Sequence, residues 1–115
     1  MTPCKQGDVV LLPFPFTDLT SVKQRPAVVV SNDAFNASQR DVIVLAITSN
    51  VNEPLSPTDY RLSQEDERLA GLPKPSLVKC AKVLTIHQRL IRKTLGRLPD
   101  HVLRCLREHV NSTLA

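Results

Sequence analysis

A chain of 115 residues with a net charge of +4 can build one core but not two, and 42% apolar with 23% charged residues is ordinary folded-domain composition. Disorder is excluded on that balance, and no apolar run approaches the roughly 20 residues a membrane-spanning helix needs. Three cysteines without a C-x-x-C pair argue against a disulfide framework or structural zinc, and three phenylalanines with one tyrosine are too few for a reader that stacks several bases.

Residues 1–115 are expected to form a single domain, and Met1 to Asp8 has no signal-peptide hydrophobic region, so the expected location is the cytoplasm. GDVVLL, Gly7 to Leu12, reads as a first strand, which Pro13 and Pro15 should end, opening an exposed loop to Gln24. A second strand is predicted from Arg25 to Ser31, with Pro26 near its start because a missing N–H is best tolerated there. Asp33 to Ser38 reads as a loop or one helical turn, and DVIVLAIT, Asp41 to Thr48, as a strand buried on both faces.

Asn50 to Thr58 has the composition of a turn, and Tyr60 to Leu62 that of a short edge strand. Ser63, with Asp66 or Glu67, supplies a helix-start cap for one turn ending at Leu69. Ser76 to Leu84 reads as another strand, interrupted by Lys79 and Lys82, and His87 to Ile91 as a short helix ending before Gly96. From Pro99, expected at the first helical position, Val102, Leu103, Leu106 and Val110 make one apolar stripe. Short strands with a terminal helix predict a mainly β fold with helices (α+β), a strongly bent sheet or half-open barrel.

Chemistry concentrates where two strand ends should meet. Period-two alternation puts Arg25, Ala27, Val29 and Ser31 on one face of the second strand. If the second and third strands pair antiparallel, Arg25 at the start of one lies beside Thr48 at the end of the other. A guanidinium can fork two phosphate oxygens and a threonine hydroxyl can donate to a third oxygen or to the developing charge, making a phosphate clamp. RNA brings its own nucleophile, the 2′-hydroxyl, so such a clamp needs neither a protein nucleophile nor a metal. Lys23, Arg25, Lys79 and Lys82 could extend it as a basic track, or could be an ordinary solvated surface.

GDVVLLPFPFTDL, QRPAVVVSND, DVIVLAITSN, LPKPSLVKCAKVLTIHQRLI and a terminal amphipathic helix, in that order, resemble the MazF/PemK family of toxin endoribonucleases over Gly7 to about Val110. The resemblance implies a compact SH3-like β-barrel with a C-terminal helix and a homodimer neutralised by a cognate antitoxin. It also implies sequence-selective cleavage of single-stranded RNA, without metal or other cofactor, to 2′,3′-cyclic phosphate and 5′-hydroxyl ends. Arg25 of QRPAVVV matches the family's catalytic arginine and Thr48 of LAITSN its catalytic threonine; Gln24, Ser49 and Lys82 lie near its RNA-contacting positions, with Lys23 on the basic track. Two segments depart from the family pattern. The loop before Arg25 carries Thr17, Asp18, Ser21 and Lys23 in place of a glycine-rich acidic sequence, and Lys79-Cys80-Ala81-Lys82 stands where many members have an acidic residue and a glutamine.

Other constellations are weaker. His101, Cys105 and His109 fall four residues apart, but eight helical residues rise about 12 Å, too far for one ion to bind all three. No G-x-S-x-G elbow supports a hydrolase triad, and His87 reads as a surface or capping residue. The alternative function is a non-catalytic module on the same fold that binds nucleic acid, antitoxin or a protein target such as DNA gyrase.

Overall fold

The computed structural model describes residues 2–14, 23–52 and 55–115. Six antiparallel strands form one sheet: β1 (Asp8–Phe14), β2 (Lys23–Val29), β3 (Asp41–Thr48), β4 (Asp59–Arg61), β5 (Leu77–His87) and β6 (Lys93–Arg97), in the spatial order β4-β5-β3-β2-β1-β6. Among the described residues three α-helices accompany it: α1 (Asp33–Ser38), α2 (Gln64–Leu69) and α3 (Asp100–Leu114).

The apolar residues alternate so that each sheet face has its own core. On the first face Val9, Val28, Leu45, Ile47 and Val78 pack with Val102, Leu103 and Leu106 of α3, the predicted stripe. On the second, Val10, Leu12, Ala27, Val29, Val42, Val44 and Ala46 pack with Cys4, Leu84, Ile86 and Ile91. The second half of β5 reaches that face because β5 is bent: Ala46 pairs with Lys79 but its neighbour Leu45 with Val83, so Cys80, Ala81 and Lys82 are extra. Such extra residues bend a strand and raise its local twist. Gln88 ties down the far end of β5, its Nε2 donating to the carbonyls of Asn36 (2.9 Å) and Gln39 (3.0 Å) and its Oε1 accepting from Cys4 N–H (3.0 Å).

Among the described residues β4 and β6, the two ends of the sheet, are not paired with each other, but the turn after α2 closes on β6. Gly71, at φ +72°, and Gly96 allow backbone against backbone: a Cβ on Gly71 would lie 2.2 Å from the Leu95 carbonyl oxygen, and one on Gly96 2.3 Å from that of Leu69. The turn after α2 thereby packs directly on β6. Leu95 is offered to it by a bulge, since Val9 pairs with Gly96 and Val10 with Thr94.

The asparagine-capped α1, the strand Asp41–Thr48 and the Ser63–Asp66 capping box of α2 match the sequence expectations. Several boundaries do not. The strand β1 continues through Pro13 to Phe14, and β2 begins at Lys23 rather than Arg25, because the two extend each other to the pair Phe14↔Lys23. The strand β5 runs to His87 instead of Leu84, carried past two lysines by its bend. His87 to Ile91 holds only a 3₁₀ turn, Gln88–Leu90, capped by His87 Nδ1 accepting from Arg89 N–H at 3.1 Å, and β6 follows where no strand was expected. Pro99 is the N-cap of α3, one position before the helix. The predicted loop residues Thr17, Asp18 and Ser21 lie outside the described residues.

Candidate functional site

The geometry of the site is set by the second strand. Val28 and Val30 point their backbone groups toward β3, as the 2.9 Å bond from Val30 N–H to the Ile43 carbonyl indicates, while Val29 accepts from Gly7 on the β1 side at 2.7 Å. By the same alternation Pro26 presents its ring nitrogen toward β3, where a ladder donor would be needed for the Ile47 carbonyl. Proline has none. The recorded β2–β3 ladder ends there, its pairs being Ala27↔Ala46, Val28↔Leu45 and Val29↔Val44.

Continued two residues beyond its last pair, Ala27↔Ala46, the same register would set Arg25 toward Thr48, the neighbourhood that the sequence analysis expects. Arg25 pairs on its other side with Leu12, a member of the second-face core, so Arg25 and Thr48 share that face just beyond the buried Ala27 and Ala46. Both are half-buried. Thr48 Oγ1 accepts the Asn50 N–H at 3.1 Å, which orients the hydroxyl and leaves its own proton to be donated. Among the described residues the Arg25 guanidinium has no hydrogen bond or ion pair of its own.

The register adds neighbours to this face. Ala46 pairs with Lys79 and Lys79 with Asp59; Thr48 pairs with Leu77 and Leu77 with Arg61. Lys79 Nζ sits between both Asp59 oxygens, 3.1 Å from Oδ1 and hydrogen-bonded to Oδ2 at 3.2 Å. Burial opposes ionisation of Asp59, but the Ser56 N–H and the Lys79 ammonium outweigh it and hold the carboxyl below its ordinary range. Lys79 is therefore an anchored cation. Neither Asp59 nor Arg61 was singled out from sequence, although the alternation of D-Y-R already sets two charges on one side of a strand.

The remaining sequence candidates divide. Lys23, exposed, is two residues from Arg25 and on its face. Lys82 is exposed within the bend of β5, and the three-residue shift removes the strict alternation that would oppose it to Lys79. Gln24 and Ser49 fall on the other face, where they border a cavity of about 550 Å³ that also touches Arg25 but not Thr48. Among the described residues no group of three or more His, Cys, Asp or Glu is placed to hold a metal ion.

The family model for the PemK-like, MazF-like toxin of type II toxin-antitoxin systems matches residues 5–114. The chain belongs to that family. No curated protein matches it in sequence. Among solved structures, the MazF of Deinococcus radiodurans superposes with a TM-score of 0.78 at 22% identity, covering 99% of this chain and 98% of that one. The MazE-MazF complex from the same organism gives 0.77 at 24% identity, with 98% and 97% covered. An endoribonuclease from a mycobacterial species, solved with its cognate antitoxin, gives 0.77 at 18% identity, with 96% and 94% covered. At these identities the likeness is one of fold, and it extends over the whole sheet and α3.

Proposed function

We propose that the protein is a metal-independent, sequence-selective endoribonuclease of single-stranded RNA, the toxin of a type II pair, acting in the cytoplasm as a homodimer restrained by a cognate antitoxin. The observation that carries this reading is the Arg25 and Thr48 pair at the open end of the β2–β3 ladder, on a face that also bears Lys23 and the anchored Lys79. Family membership and the likeness to MazF structures support it.

In the reaction the RNA 2′-oxygen attacks the adjacent phosphorus while the bond from phosphorus to the 5′-oxygen breaks. The proton lost by the 2′-hydroxyl is balanced by the one the leaving 5′-oxygen gains, so the products are a 2′,3′-cyclic phosphate and a 5′-hydroxyl. Arg25 holds the two non-bridging oxygens and neutralises the charge that builds on them; Thr48 donates a hydrogen bond to one of them. Lys23, Lys79 and Lys82 hold flanking phosphates, and four such cations including Arg25 give a salt slope of about −2.8 for single-stranded RNA.

Expression in a bacterial host tests the reading. Growth arrest with loss of intact messenger RNA is expected, and Arg25→Ala and Thr48→Ala should each abolish both. Arrest that survives both substitutions would point to a binding protein and overturn the enzymatic assignment.

A further inference from the structure

The carboxylate that anchors Lys79 is buried more deeply than the cation it holds. The Asp59 side chain is 4% exposed and that of Lys79 31%. Oδ2 of Asp59 accepts from Ser56 N–H at 3.1 Å and from Lys79 Nζ at 3.2 Å. Oδ1 is buried without a hydrogen-bond partner, and the Lys79 ammonium, 3.1 Å away, compensates its charge. If the ammonium left, a buried carboxylate oxygen would be stranded, so Lys79 is held to the β4 side of its own strand. The pairing of the strands shows what that restraint prevents. Val10, Ala27, Ala46, Lys79 and Asp59 form one row across five strands, with Arg25 and Thr48 two residues further along β2 and β3. Toward β2 that row carries only the methyl groups of Ala46 and Ala27. Ordinary sheet spacings put the Thr48 Cα about 8 Å from that of Lys79, within the span of a flexible four-carbon stem and its ammonium. Asp59 lies about 5 Å in the opposite direction, one strand away.

We propose that Asp59 is a positioning residue for the cleavage: by tethering Lys79 toward β4 it keeps that ammonium off the scissile phosphate and assigns it to the next phosphate of the RNA. The inference rests on the endoribonuclease reading and adds to it a residue that touches no substrate. Two of the three ammonium donors face the carboxylate and the third is left for the flanking phosphate. Arg25 and Thr48 then meet the scissile phosphate without a competing cation. An untethered ammonium would pair with the same non-bridging oxygens in the ground state and displace the guanidinium fork. Such pairing tightens substrate binding without favouring the transition state, and it spoils the alignment on which the attack depends. Because the Asp59 carboxyl is held below its ordinary range, the tether is charged at neutral pH.

The test compares wild type, Asp59→Asn and the double variant Asp59→Asn/Lys79→Gln on one RNA oligonucleotide that wild type cuts. In neither variant is a buried carboxylate left without its cation. Asp59→Asn keeps the lysine but frees it: kcat is expected to fall roughly tenfold while KM stays at or below the wild-type value. In the double variant kcat should return to within about threefold of wild type. Its KM should rise about fourfold at 0.15 M salt, with the salt slope shallower by about 0.7, as the loss of one phosphate contact requires. Recovery of kcat on removing Lys79 is the signature that a merely structural ion pair would not give. An arm independent of the variants' folding places a neutral methylphosphonate at each linkage beside the cut in turn. One linkage should raise the wild-type KM about fourfold, and the double variant should be insensitive to it. If wild type cuts RNA but Asp59→Asn keeps its kcat, if the double variant shares the loss, or if no neutral linkage matters, the tether is overturned and the nuclease stands. Wild type that cuts nothing would overturn both.

Discussion

Replacing Gly96 with alanine probes how the end of α2 is held against β6. The added Cβ would lie 2.3 Å from the Leu69 carbonyl oxygen and 2.6 Å from the Ala70 carbonyl carbon, whereas ordinary contact begins at 3.4 Å, so one backbone must move by 3.4 − 2.3 = 1.1 Å. Neither side yields easily. Ala70 is fully buried, α2 is fastened to the chain beyond it by Glu67 accepting from Ser76 N–H at 2.7 Å, and Gly96 is paired with the fully buried Val9. The displacement therefore enters the first-face core. Overpacking of a well-packed site costs about 1 to 3 kcal/mol, and with two backbones in conflict the upper end, about 3 kcal/mol, is expected. At roughly 4 °C per kcal/mol for a domain of this size, Tm should fall by about 12 °C. Calorimetry and urea unfolding measure it, with Thr94→Ala, an exposed site on the same strand, expected within about 0.5 kcal/mol of wild type. A Gly96→Ala shift no larger than that of the control would refute tight packing of the α2 turn on β6.

Thr48→Val keeps the shape and removes the hydroxyl; kcat should fall by about two to three orders of magnitude while stability, losing only an exposed bond from Asn50 N–H, changes by about 1 kcal/mol or less. Single-turnover kinetics and a melt separate the two effects. Asp59→Asn frees Lys79 and should cost roughly 1 to 3 kcal/mol at neutral pH, read from urea unfolding. Since the folded Asp59 titrates below its ordinary 3.8, its contribution is present above about pH 4 and is lost as pH falls through the lower folded value. The variant should lack that part of the acid limb. Burial, helped by the charge of Asp59, pushes the Cys80 thiol from 9.0 up to about 11, so the unfolded chain deprotonates first and stability declines as pH rises from about 9 to 11. Two units correspond to at most about 2.7 kcal/mol, an alkaline limb that unfolding curves of Cys80→Ala should not show.

Legibility from sequence followed the range of the physics. The helix α3, the cap of α2 and the strand Asp41–Thr48 rest on local pattern, and local pattern found them. The antiparallel pairing of β2 with β3, which turns the Arg25 end of one toward the Thr48 end of the other, was also readable, because the two strands are consecutive. What escaped depends on pairing between distant segments. Lys93–Arg97 has a polar, glycine-containing sequence with no strand signature of its own, and it becomes β6 by pairing with β1 and packing on the turn at Gly71. The bend at Cys80 to Lys82 likewise shows only when Leu45 and Ala46 are seen to choose partners four residues apart. Asp59 was missed as the anchor of Lys79 for the same reason. Pro26 was read as a tolerated strand start; its consequence, an unzipped ladder and a cavity, needs the hydrogen-bonding direction of each residue in β2.

Incubation of purified, antitoxin-free wild type and Thr48→Ala with a mixed single-stranded RNA pool in EDTA, followed by mapping of cut sites and end groups, tests the central claim most directly. The account predicts cleavage by wild type at a restricted set of sequences, leaving 2′,3′-cyclic phosphate and 5′-hydroxyl ends, and its loss in the variant. Folded wild type that cuts nothing, or equal cleavage by Thr48→Ala, would contradict it.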